Sequence, residues 1–186
     1  MSAPLPSWIT KWQWEPLTAP LTSGSDNREA SKLVHVVAQF EVETHERYRP
    51  GTPGPTWCNI FAWDVTRALG CEVPHWIRGK ETNANELAAW LEGKMATNGG
   101  KLQGPAHGWR SCSRADARAR ALQGFPTLVT YVNPNPARPG HIALVMPSSI
   151  PVGDDVQIAQ AGAKCYSYAP LASGFGTLPV RFWTHD

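Results

Sequence analysis

The 186-residue sequence has no C-x-x-C pair, no histidine spaced for zinc with its four cysteines, and no H-E-x-x-H. The common structural-zinc and zinc-hydrolase patterns are therefore missing, and neither a metal nor another cofactor is expected. The spacing of Cys71, Cys112 and Cys165 leaves one disulfide among them open. Charged residues make up only 17% of the chain, the formal net charge is +2, and no basic run stands out. Nucleic acid is not an expected partner, although a mildly basic surface suits an anionic one. No apolar run is long enough to span a membrane. The leading stretch "MSAPLPSWITKWQWEPLTAPLTSG" has no basic segment followed by an apolar one. The expectation is a protein made in the cytoplasm without a signal peptide, and with no membrane partner.

What is present suits one globular domain. Hydrophobic residues make up 42% of the chain, enough for a core at this length without covalent staples. Seventeen prolines and sixteen glycines indicate long, shaped loops. Residues 1–24, rich in Pro, Trp and Thr, read as an arm, either packed on the domain or a mobile leader. The domain itself is expected over residues 25–186.

Helical signals dominate the first two thirds. In "SDNREASKLVHVVAQFEVE", Asp26 and Glu29 have capping-box spacing, and Ala30, Leu33, Val34, Val37 and Phe40 form one stripe. In "PTWCNIFAWDVTRALG", Cys58, Phe61, Ala62, Val65 and Leu69 share a face, and Gly70 is placed as a stop. Asn83 with Glu86, and Ser113 with Asp116, repeat the cap spacing before two further short helices, the second stopping at Gly124. Then "PTLVTYV", "HIALVMP" and "VQIAQAG" follow as short β-rich runs between turn-rich segments, with a last strand in "LPVRFWT". Helices followed by an antiparallel sheet predict an α+β fold.

Cys58 opens its helix, where unpaired N–H groups and aligned peptide dipoles favour an anion. A thiol there is drawn towards the thiolate, the reactive form, and the Cys58 amide is placed to donate to an oxyanion. His141, at the mouth of a strand, is the candidate base. Gln160, on the next strand, is the candidate orienting group, able to fix the tautomer without adding charge. Gln157, three residues away, is expected on the opposite face.

A cysteine opening the first core helix, a G-H-I-A sequence at a strand start and a polar residue on the next strand resemble the papain-like peptidoglycan hydrolases. These include the NlpC-type and CHAP-type enzymes, found among phage endolysins and among amidase effectors of bacterial injection systems. The resemblance covers roughly residues 45–165 and rests on "TWCNIFAWDV", "AN-E-L--WL", "A-ARALQGFPTLVTYV" and "GHIALVMP". It implies a papain-like fold and cysteine-dependent cleavage of an amide in wall stem peptides, through a thioester acyl-enzyme. It also implies action in the periplasm or on the wall after release or injection, with an immunity protein or delivery apparatus as partner. Tyr48 matches a family tyrosine that faces substrate. Asn59 and Ile60 stand where NlpC-type members often have Ser-Gly, which points to a divergent branch. Gln160 departs from the family's usual His, Asn, Asp or Glu. The loop before Cys58 lacks the acids with which CHAP-type members bind calcium. An acyltransferase or deamidase toxin with the same dyad, and a non-catalytic binding protein with the same fold, are the alternatives. The order Cys-then-His excludes the permuted lipid acyltransferases.

Trp57 and Trp109 could stack on sugar or peptide, and with Tyr48 and Asn59 they complete the expected substrate-facing set. Asp64 lies off the Cys58 face and is expected to make a structural hydrogen bond. His75 and His107 lie in loops near helix ends and read as surface histidines, with a place lining the cleft as the alternative for either. Nothing distinguishes His35, His45 or His185.

Overall fold

The computed structural model describes residues 14–51, 54–95, 103–148 and 155–186. The fold is α+β, as the order of signals predicts. Helices α1 (Ala30–Ala38), α2 (Cys58–Ala68) and α3 (Ala84–Leu91) come first, with a small hairpin of β1 (Trp76–Ile77) and β2 (Lys80–Glu81) between α2 and α3. Strand β3 (Arg110–Cys112) and α4 (Arg114–Leu122) follow. Strands β4 (Thr127–Tyr131), β5 (His141–Met146), β6 (Gln157–Ala161) and β7 (Cys165–Pro170), the short α5 (Leu171–Phe175) and β8 (Arg181–Thr184) complete the chain. The sheet is antiparallel, six-stranded and ordered β3-β8-β4-β5-β6-β7. Among the described residues no helix is long and apolar enough to cross a membrane.

The sheet is buried on both faces. On one face Ile142, Leu144, Met146, Ala159 and Ala161 join the core built by α1, α2 and α3. On the other, Ala143, Val145 and Ile158 pack with Ala117 and Ala121 of α4 and with Leu171 and Phe175 of α5. The period-2 alternation along β5 divides its side chains between these layers. Helix α2 is sheathed almost all round, with Ile60 to Thr66 all buried. Burying each large apolar side chain such as Phe61 or Ile60 is worth about 1.5–3 kcal/mol, and this is what fixes the helix against β5 and β6.

Local signals mostly determine the helix boundaries. Asn83 with Glu86, and Ser113 with Asp116, form reciprocal capping boxes. Gly70 and Gly124 follow α2 and α4 with positive φ, the conformation that ends a helix at low cost in glycine. The expected Asp26–Glu29 box does not form. Helix α1 starts only at Ala30, after Glu29, without a side-chain cap. A turn closes at 24–27 instead, where Asn27 Oδ1 accepts from the Gly24 N–H at 3.0 Å. The α1 stripe is shifted too: Val36 is buried, whereas Val34 is exposed.

The described part of the N-terminal arm packs on the domain. Leu17 and Ala19 lie against the core, and Gln39 bonds both backbone groups of Leu21. Residues 1–13 lie outside the described residues, as does most of the turn "SSIPVGDD". All four cysteines are free thiols, so the disulfide left open by spacing is absent.

Candidate active site

Cys58 is the first residue of α2, and no side chain caps that helix. Its first-turn N–H groups are therefore available to the sulfur and to a substrate oxygen. The Asn59 N–H hydrogen-bonds the Cys58 sulfur from within the helix, and the Ile142 N–H does so from β5. The sulfur thus lies at the start of β5, beside His141.

His141 shares the period of Ala143 and Val145 and belongs to the α4–α5 face, where its ring lies 4.8 Å from that of Phe175. The β5–β6 register pairs Leu144 with Ala159, so Gln160 stands opposite Ala143 and diagonal to His141. A long side chain spans that diagonal. Gln160 Oε1 lies 2.8 Å from His141 Nε2, and Gln160 Nε2 donates to the Lys164 carbonyl at 3.0 Å. The carbonyl can only accept, so the amide orientation follows: Oε1 receives Nε2–H. Nδ1 is left for the sulfur, with which the ring is hydrogen-bonded. A neutral amide at this buried position costs less desolvation than a carboxylate.

The electrostatics follow from these contacts. Burial opposes the Cys58 thiolate. The hydrogen bond and charge of His141, with the Ile142 and Asn59 N–H groups, outweigh it and hold the thiol below its ordinary value. Burial likewise opposes the His141 imidazolium, but the Cys58 sulfur and the hydrogen bond to Gln160 raise it above its ordinary value. The opposite shifts favour a thiolate–imidazolium pair. The other thiols behave differently: burial pushes Cys71 up to about 12, and burial with Asp116 pushes Cys112 up to about 11.

Cys58 opens into a cleft of about 210 Å³ lined by Trp57 and Asn59 from the α2 start, Glu81 to Ala84, and Pro139–Gly140. Two larger grooves, of about 480 and 500 Å³, lie around α4 and β8. The only thiol there is Cys112, and no histidine lines either groove. No protein-family model matches this chain, and no curated protein matches it significantly.

The structure brings Cys58, His141 and Gln160 together and places Trp57 and Asn59 in the cleft wall. Both Asn59 amide hydrogens are engaged, on Glu81 Oε1 at 3.2 Å and the Thr82 carbonyl at 3.0 Å, leaving only its oxygen for a ligand. Tyr48 is not part of the wall. It is fully buried, and its hydroxyl donates to Asp64 Oδ2 at 2.7 Å. Asp64 also receives two hydrogen bonds from buried Arg47, at 2.8 and 3.0 Å, the structural role expected for it. Trp109 is likewise core, 1% exposed, with the His185 ring 5.3 Å away. His107 is exposed and outside the cleft, stacked on Trp90.

His75 is the largest departure from expectation. It is buried rather than superficial, between Trp63 and Trp76, and its Nε2 lies 3.0 Å from Glu81 Oε1. Sequence reasoning missed Glu81 altogether. The available signal was "IRGK": Arg78 and Gly79 both have positive φ, the turn of a two-residue hairpin that sets Glu81 beside the cleft.

Proposed function

We propose that this protein is a papain-like cysteine amidase or endopeptidase acting on the stem peptides of bacterial peptidoglycan. The observation that supports this most is the continuous hydrogen-bonded series Cys58–His141–Gln160, with the sulfur at a helix start and beside a cleft. Peptidoglycan is favoured as substrate by the resemblance of residues 45–165 to wall hydrolases.

In this mechanism the Cys58 thiolate attacks the scissile carbonyl carbon. The Cys58 N–H, which has no intrahelical partner at the helix start, stabilises the resulting oxyanion. Collapse breaks the C–N bond, and His141 gives its Nδ1 proton to the departing amine, leaving a thioester on Cys58. Water then attacks the thioester, with His141 taking its proton, and the acid product leaves. Gln160 holds the imidazole edge-on to the sulfur throughout. Trp57, 5% exposed, contributes a small apolar part of the cleft wall.

The test is digestion of purified peptidoglycan sacculi with product analysis by mass spectrometry. New amine and carboxyl termini are expected, with activity falling by about 10⁴-fold in Cys58→Ala or His141→Ala while both variants stay folded. Conversion of a carboxamide to a carboxylate without a new terminus would identify a deamidase instead. Undiminished lysis by either variant would overturn the assignment.

A further inference from the structure

The cleft holds one group that this mechanism does not use. Apart from Cys58 itself, Glu81 is the only ionisable side chain among the described residues lining it, and about a quarter of its side chain (26%) is exposed. Its Oε1 is held twice, by Asn59 Nδ2 at 3.2 Å and by His75 Nε2 at 3.0 Å. Among the described residues its Oε2 has no hydrogen-bond partner. The neighbouring cation, Lys80, is occupied by Glu86 at 2.6 Å. His75 is fixed by aromatic packing, with ring centroids of Trp63 at 4.4 Å and Trp76 at 5.3 Å. The carboxylate is therefore locked from behind and presents a free oxygen, with no lysine or arginine among the described residues paired to it.

A fixed, partly desolvated carboxylate attracts a cation far more strongly than one in bulk water. The cleft shared by Cys58 and Glu81, about 210 Å³, is small beside typical small-molecule sites of roughly 300–1,000 Å³. A ligand group meeting Glu81 must therefore lie close to the bond that meets Cys58. We propose that Glu81 is the specificity residue of the cleft, binding a primary ammonium group on, or next to, the residue that carries the scissile amide. Asn59 and His75 are its positioning residues. The inference rests on the hydrolase proposed above and adds the substrate class: peptides with a free amine beside the cleavage point.

Muropeptides with lysine as the third residue, its side-chain amine free or acetylated, test this against wild-type protein and Glu81→Gln. Glutamine keeps an oxygen for Asn59 and His75 but removes the charge. Acetylation should raise the wild-type KM about tenfold with kcat nearly unchanged. In Glu81→Gln the free-amine substrate should show that raised KM already, with no further effect of acetylation. Turnover of the acetylated substrate at the wild-type rate shows that the variant is folded. Equal KM for the two forms in wild type, or an undiminished preference in Glu81→Gln, overturns the proposal and leaves the hydrolase standing. If wild type cleaves neither muropeptides nor sacculi, the hydrolase fails, and calorimetric binding to Cys58→Ala still decides the subsite. Tighter binding of the free-amine form, lost on adding Glu81→Gln, supports it; equal binding overturns it.

Discussion

Gln160 accepts the Nε2 proton of His141 at 2.8 Å, and its own amide is locked by the Lys164 carbonyl. This pair sets both the tautomer and the direction of the imidazole. Gln160→Ala should lower kcat about 10²-fold through loss of orientation. The same hydrogen bond helps raise the His141 pKa, so its loss should lower that value. The competent thiolate–imidazolium form exists between the two apparent pKa values of the pair. The alkaline limb of kcat/KM should therefore move to lower pH in Gln160→Ala. A pH–rate profile with an unmoved alkaline limb would remove Gln160 from the proton chemistry.

Asn85 of α3 staples the loop that delivers His141. Its Oδ1 accepts from the Asn133 N–H at 3.0 Å, and its Nδ2 donates to the Arg138 carbonyl at 3.1 Å. Gly140 packs so closely on Asn85 and the Tyr131 carbonyl that a Cβ there would collide with both. Asn85→Ala should cost about 1–3 kcal/mol in urea unfolding. It should also reduce turnover, because the residue preceding the base loses its support. Loss of stability with turnover intact would show that the loop holds its shape alone.

Asp64 carries a structural load. Burial pushes its carboxyl pKa up, against the hydrogen bonds and charge of Arg47 and the Tyr48 hydroxyl. Asp64→Ala leaves the buried Arg47 guanidinium without its carboxylate and should destabilise the fold by about 3–5 kcal/mol. Tyr48→Phe, which removes one hydrogen bond to a charged group, should cost about 1.5–3 kcal/mol. Equilibrium denaturation separates the two, and equal losses would contradict the Arg47–Asp64 pair as the dominant contact.

Much of this organisation was legible in the sequence because it is local. The Asn83–Glu86 and Ser113–Asp116 boxes each close within four residues, and Gly70 and Gly124 mark their helix ends without outside help. The contact of Cys58 with His141 was inferred from a helix start and a strand start taken together with the order of elements, neither pattern being decisive alone. Asp26 and Glu29 show the same spacing as the true boxes, but the turn closed by Asn27 displaces the helix start, and no pattern count reveals that competition. Tyr48 and His75 were misplaced for one reason: burial of a polar side chain depends on which partners the fold brings to it. Asp64 takes the tyrosine hydroxyl inward, and two tryptophans with Glu81 do the same for the imidazole. Strand β7, in which three of six side chains are half-buried and two are exposed, showed no strand signal strong enough to predict it.

The pH dependence of Cys58 alkylation by iodoacetamide, read by peptide mapping, tests the thiolate–imidazolium pair without any substrate. The pair predicts an inflection below the ordinary thiol value of about 8.5, moved upward by His141→Ala. At neutral pH, Cys71 and Cys112 should stay unlabelled, because their thiols are pushed up to about 12 and 11. A single inflection at the ordinary thiol value, unchanged in His141→Ala, would contradict it.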